Sequence, residues 1–121
     1  MATISSHVLD SVAGDHAAGI RVECIKRLAT GEQTHVFDVV ASEQGRISEE
    51  VEISPSAKDE QYELVFHSKS YFDKKSSAAE SAQILECVVI RLTLVDPDGG
   101  YHVPIMLAPH SYSVWWSGFE S

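Results

Sequence analysis

The sequence is poor in cysteine and in basic residues, and each shortage excludes a class of protein. Its two cysteines, Cys24 and Cys87, lie inside apolar stretches and form no CxxC pair. We therefore expect buried, reduced thiols, and a disulfide between them is the alternative that stays open. Nine basic residues stand against 18 acidic ones, for a net charge of −9. Because no basic cluster is present to replace counterions, the composition argues against a nucleic-acid or anionic-membrane surface.

Targeting and membrane segments are also missing from the printed sequence. The first ten residues, MATISSHVLD, have neither the basic start nor the apolar centre of a secretory signal. No apolar run approaches the roughly 20 residues that a membrane-spanning helix needs. The last three residues differ from the Ser-Lys-Leu type of peroxisomal signal. We therefore expect a cytoplasmic protein without a membrane partner.

Short segments with a period of two dominate what is present. The length of 121 residues and the 44% hydrophobic content fit one domain, residues 1–121, with a single core. The polar, alanine-bearing segment 70–83 predicts one short helix. Seven or eight short strands with near-regular turns predict an all-β sandwich. The strand segments are GIRVECIKRL, HVFDVVAS, RISEEVEIS, QYELVFHS, ILECVVIRLTLV (84–95, predicted as the longest), YHVPIMLAP and SYSVWWSG.

Three residues are candidates for proton transfer and anion binding. His7 opens the first apolar segment, Arg46 ends a glycine turn, and His102 begins a strand after the DPDGG turn. Histidine is the side chain best suited to proton transfer near pH 7. An arginine beside two histidines would keep at least one of them neutral and hold a developing oxyanion. Their spacing alone does not show that the three side chains meet.

A metal or other cofactor is not expected. No two histidines have a close ligand spacing, and no acidic residue completes an obvious ligand set. Asp10 and Ser113, which lie near the motifs, are candidates to orient a catalytic histidine. The remaining histidines are interpreted as surface or structural side chains: His16, His35, His67 and His110.

The order of the motifs resembles that of the transthyretin-like family, and within it the 5-hydroxyisourate hydrolases. The similar segments are SSHVLDSVAGDHAAGIRV, the Gly45-Arg46 turn, YELVFHSKSYF, DPDGGYHVP and LAPHSYS, which span nearly the whole chain. The resemblance implies a transthyretin-like, two-sheet β-sandwich with one short helix. It also implies a homotetramer, a dimer of dimers, with active sites in a channel between the paired dimers.

The resemblance also implies catalytic residues. His7 matches the family histidine of H-V-L-D, Arg46 the arginine of the turn, and His102 the histidine of H-V-P; we call these three the His–Arg–His set. The hydrolases open the ring of 5-hydroxyisourate by adding water to a ring carbonyl. The hormone carriers of the family lack this set. Its presence therefore favours a cofactor-independent enzyme acting on a small cyclic substrate.

The tail departs from the hydrolase pattern. The hydrolases carry Y-R-G-S where this chain has Trp115-Trp116-Ser117-Gly118. Trp116 stands in place of an arginine that helps the hydrolases to bind an anionic substrate. The exchange removes a charge-assisted contact of about 1.5–3 kcal/mol and adds a flat apolar surface. The expected substrate-binding residues are Tyr112, Ser113, Trp115, Trp116 and Ser117.

Three functions stay open on these observations. The first is an enzyme whose pocket is repurposed by Trp115 and Trp116, the tail tryptophans, for a bulkier and more apolar metabolite. Its reaction is hydrolysis, isomerisation or cyclisation. The second is a 5-hydroxyisourate hydrolase of purine catabolism, and the third is a non-catalytic ligand carrier. If the tail tryptophans only pack an oligomer interface, they have no part in the chemistry.

Overall fold

The computed structural model describes residues 1–53, 60–75 and 83–118, which form two β-sheets and one helix. The helix α1 spans Ser68–Lys75. The strands are β1 (Ala2–Asp10), β2 (Asp15–His16), β3 (Arg21–Arg27), β4 (Gln33–Val40), β5 (Arg46–Val51), β6 (Gln61–Phe66), β7 (Val88–Leu92), β8 (Gly100–His102), β9 (Ile105–Ala108), β10 (Ser111–Val114) and β11 (Ser117–Gly118).

The first sheet is built around β1. On one side β1 pairs with β5 and β2, both antiparallel, and on the other side it pairs with β8 and β9, both parallel. Strand β10 extends the sheet beyond β9, and β11 extends it beyond β8. The N-terminal segment is therefore held by β5, β8 and β9, which are distant in sequence, and by β2, which follows it after a short turn.

The second sheet has four antiparallel strands in the order β4-β3-β6-β7. Both sheets turn apolar side chains into one buried cluster, as the period of two requires of a half-buried strand. Ile4, Val8 and Ile105 come from the first sheet, and Leu64 and Phe66 come from the second; all five are fully buried. The predicted all-β sandwich is confirmed.

The helix closes one end of the core through a buried carboxylate. Tyr71 donates its hydroxyl to Asp10 Oδ2 at 2.9 Å, and the backbone amides of Val12 and Ala13 donate to Oδ1 at 3.0 Å each. Burial raises the pKa of Asp10, but the hydrogen bonds from Ala13, Tyr71 and Val12 and the charge of Lys75 together hold it below the ordinary value. Asp10 is thus an ionised anchor between β1 and α1.

Two predicted boundaries were wrong. Segment 84–95 is not the longest strand, since β7 covers only Val88–Leu92 and β1 is longest with nine residues. Strand β7 pairs with β6, and the ladder runs only from Phe66–Val88 to Tyr62–Leu92, so the flanking residues gain no partner from β6. The helix begins at Ser68 rather than at residue 70; residues 76–82 of the predicted helix lie outside the described residues.

Within the described ranges there are eleven strands rather than seven or eight. The difference arises because β2 and β11 have two residues each, and because the tail divides into four short strands.

The cysteines are both free. Cys24 is fully buried, and burial raises its pKa to about 12, so its thiol stays protonated; Cys87 is half-buried rather than buried. Among the described residues, no helix has the length and apolar character that crossing a membrane requires.

Candidate functional site

Strand pairing brings the His–Arg–His set together. His7 on β1 lies directly opposite Arg46 on β5, and His102 on β8 lies opposite Ser5 on β1. Ser5 and His7 are two residues apart on β1, so their side chains leave the same face of the sheet. The intervening Ser6 and the neighbouring Val8 face the core. All three members of the set therefore lie on the outer face of the first sheet.

A glycine turn fixes where Arg46 enters this face. Gly45 has a φ of +71°, a conformation that glycine adopts without strain. Its carbonyl accepts the amide of Val8 at 2.7 Å, and the hydroxyl of Ser42 accepts the amide of Arg46 at 3.2 Å. A side chain at position 45 would bring its Cβ to 2.4 Å from the Val8 carbonyl oxygen. Only glycine lets the turn approach β1 this closely.

Arg46 and His102 line one cavity on this face. The volume of this cavity is about 520 Å³. At its wall, a hydrogen bond of 2.8 Å joins His102 Nδ1 to Ser5 Oγ. Ser5 therefore orients the imidazole ring at the cavity wall. We call this space the site cavity; it is lined by Ser5, Ser6, Ser42, Arg46, Ile47, Ser48 and His102.

The electrostatics favour neutral histidines beside a fixed cation. Burial lowers the pKa of His102, and the Arg46 guanidinium lowers it further. Burial also lowers the pKa of His7, with further lowering from Arg46, His16 and His102, against a hydrogen bond to the Gln44 backbone that raises it. A neutral imidazole can accept a proton, and the cation is suited to an oxygen that becomes negative.

His7 lies beside the site cavity without lining it. Among the described residues that line the cavity His7 does not occur, and its Nε2 lies 2.9 Å from Nδ1 of His16. His16 lines a second cavity of about 520 Å³ together with Leu9 and Met106. Along β1, His7 therefore stands between Ser5 at one cavity and Leu9 at the other.

The tail residues divide between the two faces of the first sheet. Ser117 lies opposite His102 in the β8–β11 pair, and Ser113 lies opposite Met106, so both belong to the outer face. Tyr112 lies opposite the buried Leu107 and therefore belongs to the other face.

The tail tryptophans remain largely exposed in the single chain. Trp115 is 48% and Trp116 is 66% exposed, although the backbone amide of Trp115 is held by the Pro104 carbonyl at 3.3 Å. Exposed indoles of this size are typical of a surface that meets a ligand or another protein chain.

The proposed orienting role of Asp10 was wrong. Asp10 is buried on the core side of β1, and its carboxylate is taken by Tyr71 and two backbone amides. Ser5 and His16 instead contact the two catalytic candidates, and sequence reasoning missed both. Ser5 had a readable signal, because it shares the face of His7 by the period of two. His16 had none, because its contact depends on the turn between β1 and β2.

A second polar cluster lies on the other sheet. Glu23 accepts from His35 Nε2 at 2.6 Å and from His67 Nε2 at 2.5 Å, while Arg21 donates to both oxygens of Asp38 at 2.9 and 2.7 Å. Ligand atoms of Glu23, His35 and Asp38 lie within 4.8 Å of one another. The guanidinium of Arg21 contacts both carboxylates and offsets one of their two negative charges. His35 and His67 are accordingly satisfied structural side chains here.

The fold and the site together define a class. The chain is a two-sheet β-sandwich with two histidines and an arginine on the outer face of one sheet, beside a serine-lined cavity. A model of the HIUase/Transthyretin family matches residues 4–116. The chain therefore belongs to this family, as its motifs predict.

Two of the similar curated proteins carry the names of enzymes. A 5-hydroxyisourate hydrolase of Deinococcus radiodurans is 38% identical over 112 residues, which cover 93% of this chain and 92% of the relative. The 5-hydroxyisourate hydrolase 2 of Rhizobium meliloti is 30% identical, with 93% and 92% covered. The expectation of a hydrolase-type enzyme is confirmed, and the carrier alternative is set aside.

Solved structures agree on the fold. Sea bream transthyretin in complex with thyroxine superposes with a TM-score of 0.79 at 19% identity, covering 98% of this chain and 97% of that one. An (S)-allantoin synthase superposes with a TM-score of 0.75 at 24% identity, covering 96% of this chain. The chain spans 43% of the length of the allantoin synthase chain.

Proposed function

We propose that the protein opens a ring by adding water to a ring carbonyl, with the His–Arg–His set as its catalytic residues. The observation that carries this proposal is the position of His7, Arg46 and His102 on one sheet face, with Arg46 and His102 at a cavity of about 520 Å³. Both imidazoles have a lowered pKa. Neither needs to lose a proton before it acts as a base near pH 7.

The chemistry follows from these charges. One neutral histidine takes a proton from water as the water oxygen attacks the carbonyl carbon. The carbonyl oxygen becomes negative, and the Arg46 guanidinium stabilises it. When the ring bond breaks, the protonated histidine returns its proton to the leaving atom. Ser5 positions the imidazole of His102 for this exchange through the hydrogen bond to Nδ1.

The substrate is a planar, oxygen-rich heterocycle that is larger and more apolar than 5-hydroxyisourate. Trp116 supplies an indole where the hydrolase pattern has an arginine, and both tail tryptophans are largely exposed next to β11, which pairs with the strand of His102. An exposed indole binds a flat apolar ring better than it binds an anion. Ser113, Trp115, Trp116 and Ser117 remain the proposed binding residues, and Tyr112 is left out because it lies on the other face of the sheet.

A homotetramer is part of the same proposal. The site cavity opens on the outer face of a sheet, and the tail tryptophans lie exposed on the same chain. A second chain packed against this face would cover the indoles and enclose the substrate. Burial of both residues in an assembly is expected to contribute several kcal/mol, since each indole carries up to about 250 Å² of surface.

A second candidate is hydrolysis of 5-hydroxyisourate itself. Relatives with 38% and 30% identity carry that name, and Ser117 lies opposite His102 in the β8–β11 pair. In this case Ser117 would take the place of the family serine, and Trp116 would be tolerated without changing the reaction.

The decisive experiment measures the turnover of two classes of substrate by the wild-type protein and by a site variant. Freshly generated 5-hydroxyisourate is followed by absorbance, beside larger aryl-substituted cyclic imides that report ring opening in the same way. We expect wild-type protein to favour the larger imides, and the His102→Asn variant to lose about 10²–10⁴-fold of kcat/KM, as expected for loss of an acid–base group. A control variant, His35→Asn on the other sheet, should keep full activity. Strong turnover of 5-hydroxyisourate alone would favour the second candidate, and full activity of His102→Asn would overturn both.

A further inference from the structure

We propose that His16 is a catalytic residue of this site and forms the outer half of a two-histidine proton relay with His7. The proposal rests on the proposed function, because it assigns the path by which His7 takes part in that chemistry. It concerns a residue that the sequence motifs left as an ordinary surface histidine.

The contact between the two rings is close. His7 Nε2 lies 2.9 Å from His16 Nδ1, the ring centroids are 5.1 Å apart, and the ring planes meet at 37°. At this distance a single proton lies between the two nitrogens, so one donates and the other accepts. Two imidazolium rings would place two donors and two positive charges there, so the pair holds at most one extra proton.

The surroundings of His7 decide which ring donates. The Gln44 backbone forms a hydrogen bond that favours the charged form of His7, so the ring donates to it. Because Nε2 faces His16, the donating atom is Nδ1. In a neutral ring Nε2 then carries the lone pair, and it accepts the Nδ1–H of His16. The acceptor nitrogen that remains in the pair is Nε2 of His16.

His16 is placed to receive protons from outside. Its side chain is 42% exposed, and it lines the cavity that also contains Leu9 and Met106. Asp15 is the nearby acidic group, with Oδ1 at 4.0 Å from His16 Nε2. On the other side of the pair, the charges of Arg46 and His102 reach His7. These charges oppose a positive charge on His7, so a proton taken up by His7 is readily returned to the leaving atom.

The proton transfers of the relay occur together in one step, in which atoms and charges balance. Water gives a proton to Nε2 of His16 as its oxygen attacks the carbonyl carbon of the substrate. At the same time the proton on Nδ1 of His16 moves to Nε2 of His7. His7 becomes the imidazolium, His16 stays neutral in its other tautomer, and the substrate carries the new oxyanion. Return of the proton along the same path protonates the leaving atom.

Two substitutions of His16 distinguish a proton relay from a role in which His16 only positions the His7 ring. In His16→Asn the amide nitrogen can still donate to His7 Nε2, but an amide cannot pass a proton. In His16→Ala both abilities are lost. We expect both variants to lose at least about 10-fold of kcat/KM, because an acid–base group contributes roughly 10²–10⁴-fold. Wild-type activity in His16→Asn, or in both variants, would overturn the relay.

A second measurement does not depend on turnover. Titration of the His7 ring signals by NMR should give a higher pKa in His16→Ala than in wild type, because His16 lowers the pKa of His7. An unchanged His7 pKa would overturn the pairing. The His35→Asn protein serves as a control for general effects of removing a histidine. Failure of the proposed function is recognised separately, by full activity in His102→Asn.

Discussion

The Trp116→Arg variant tests the role of the tail residue that departs from the hydrolase pattern. Trp116 is 66% exposed, so about one third of a surface of about 250 Å² is covered, and its burial within the chain contributes at most about 2 kcal/mol. The chain should therefore fold without the indole. A cation at this place can form a charge-assisted hydrogen bond to an anionic substrate, at about 1.5–3 kcal/mol. This energy corresponds to about a 10- to 150-fold gain in kcat/KM on 5-hydroxyisourate.

The assay is the initial rate of 5-hydroxyisourate loss at substrate concentrations below KM. Trp116→Gln removes the indole without adding charge and is the matched control, because it separates relief of crowding from the new cation. The same variants should lose activity on the larger imides. Equal gains in Trp116→Arg and Trp116→Gln would refute the role of charge. No change on either substrate, with a lower oligomeric state by sedimentation, would show that Trp116 only packs an interface.

Three further predictions follow from the described geometry. Arg46→Met should raise the pKa of both histidines of the set, so the acid limb of the kcat/KM profile should move to higher pH; an unmoved limb contradicts the proposed electrostatics. Gly45→Ala should unfold at a markedly lower temperature than Gly31→Ala, since both positions have positive φ but only the first lies against backbone. Tyr71→Phe should cost about 1.5–3 kcal/mol of unfolding free energy, because it removes a hydrogen bond to the buried Asp10 carboxylate. Since the pKa of Asp10 is lowered on folding, its contribution is present above the ordinary carboxyl pKa and is lost as the pH falls through the lowered value. The Tyr71→Phe deficit in urea unfolding should therefore shrink at low pH, and a deficit that is constant with pH would contradict the ionised anchor.

The fold was largely readable from local pattern. The period of two in GIRVECIKRL, with Ile20, Val22 and Cys24 on one face, predicts a half-buried strand, and all three residues are buried. The limits of each strand were less readable. Strand β7 ends where its pairing with β6 ends, and no residue inside segment 84–95 marks that limit. Local propensity indicates that a strand forms, while the length of the neighbouring strand decides how far it runs.

The site, like the fold, was predictable from the sequence only in part. The sequence by itself indicated which side chains are the candidates for the chemistry, and its motif order was enough to indicate the family. It did not determine their partners. Ser5, rather than Asp10, holds His102, and His16 meets His7, because β1 pairs with strands from both ends of the chain and a short turn folds back beside it. A pattern with a period of two tells which face a side chain leaves, but only long-range pairing decides which other side chains share that face.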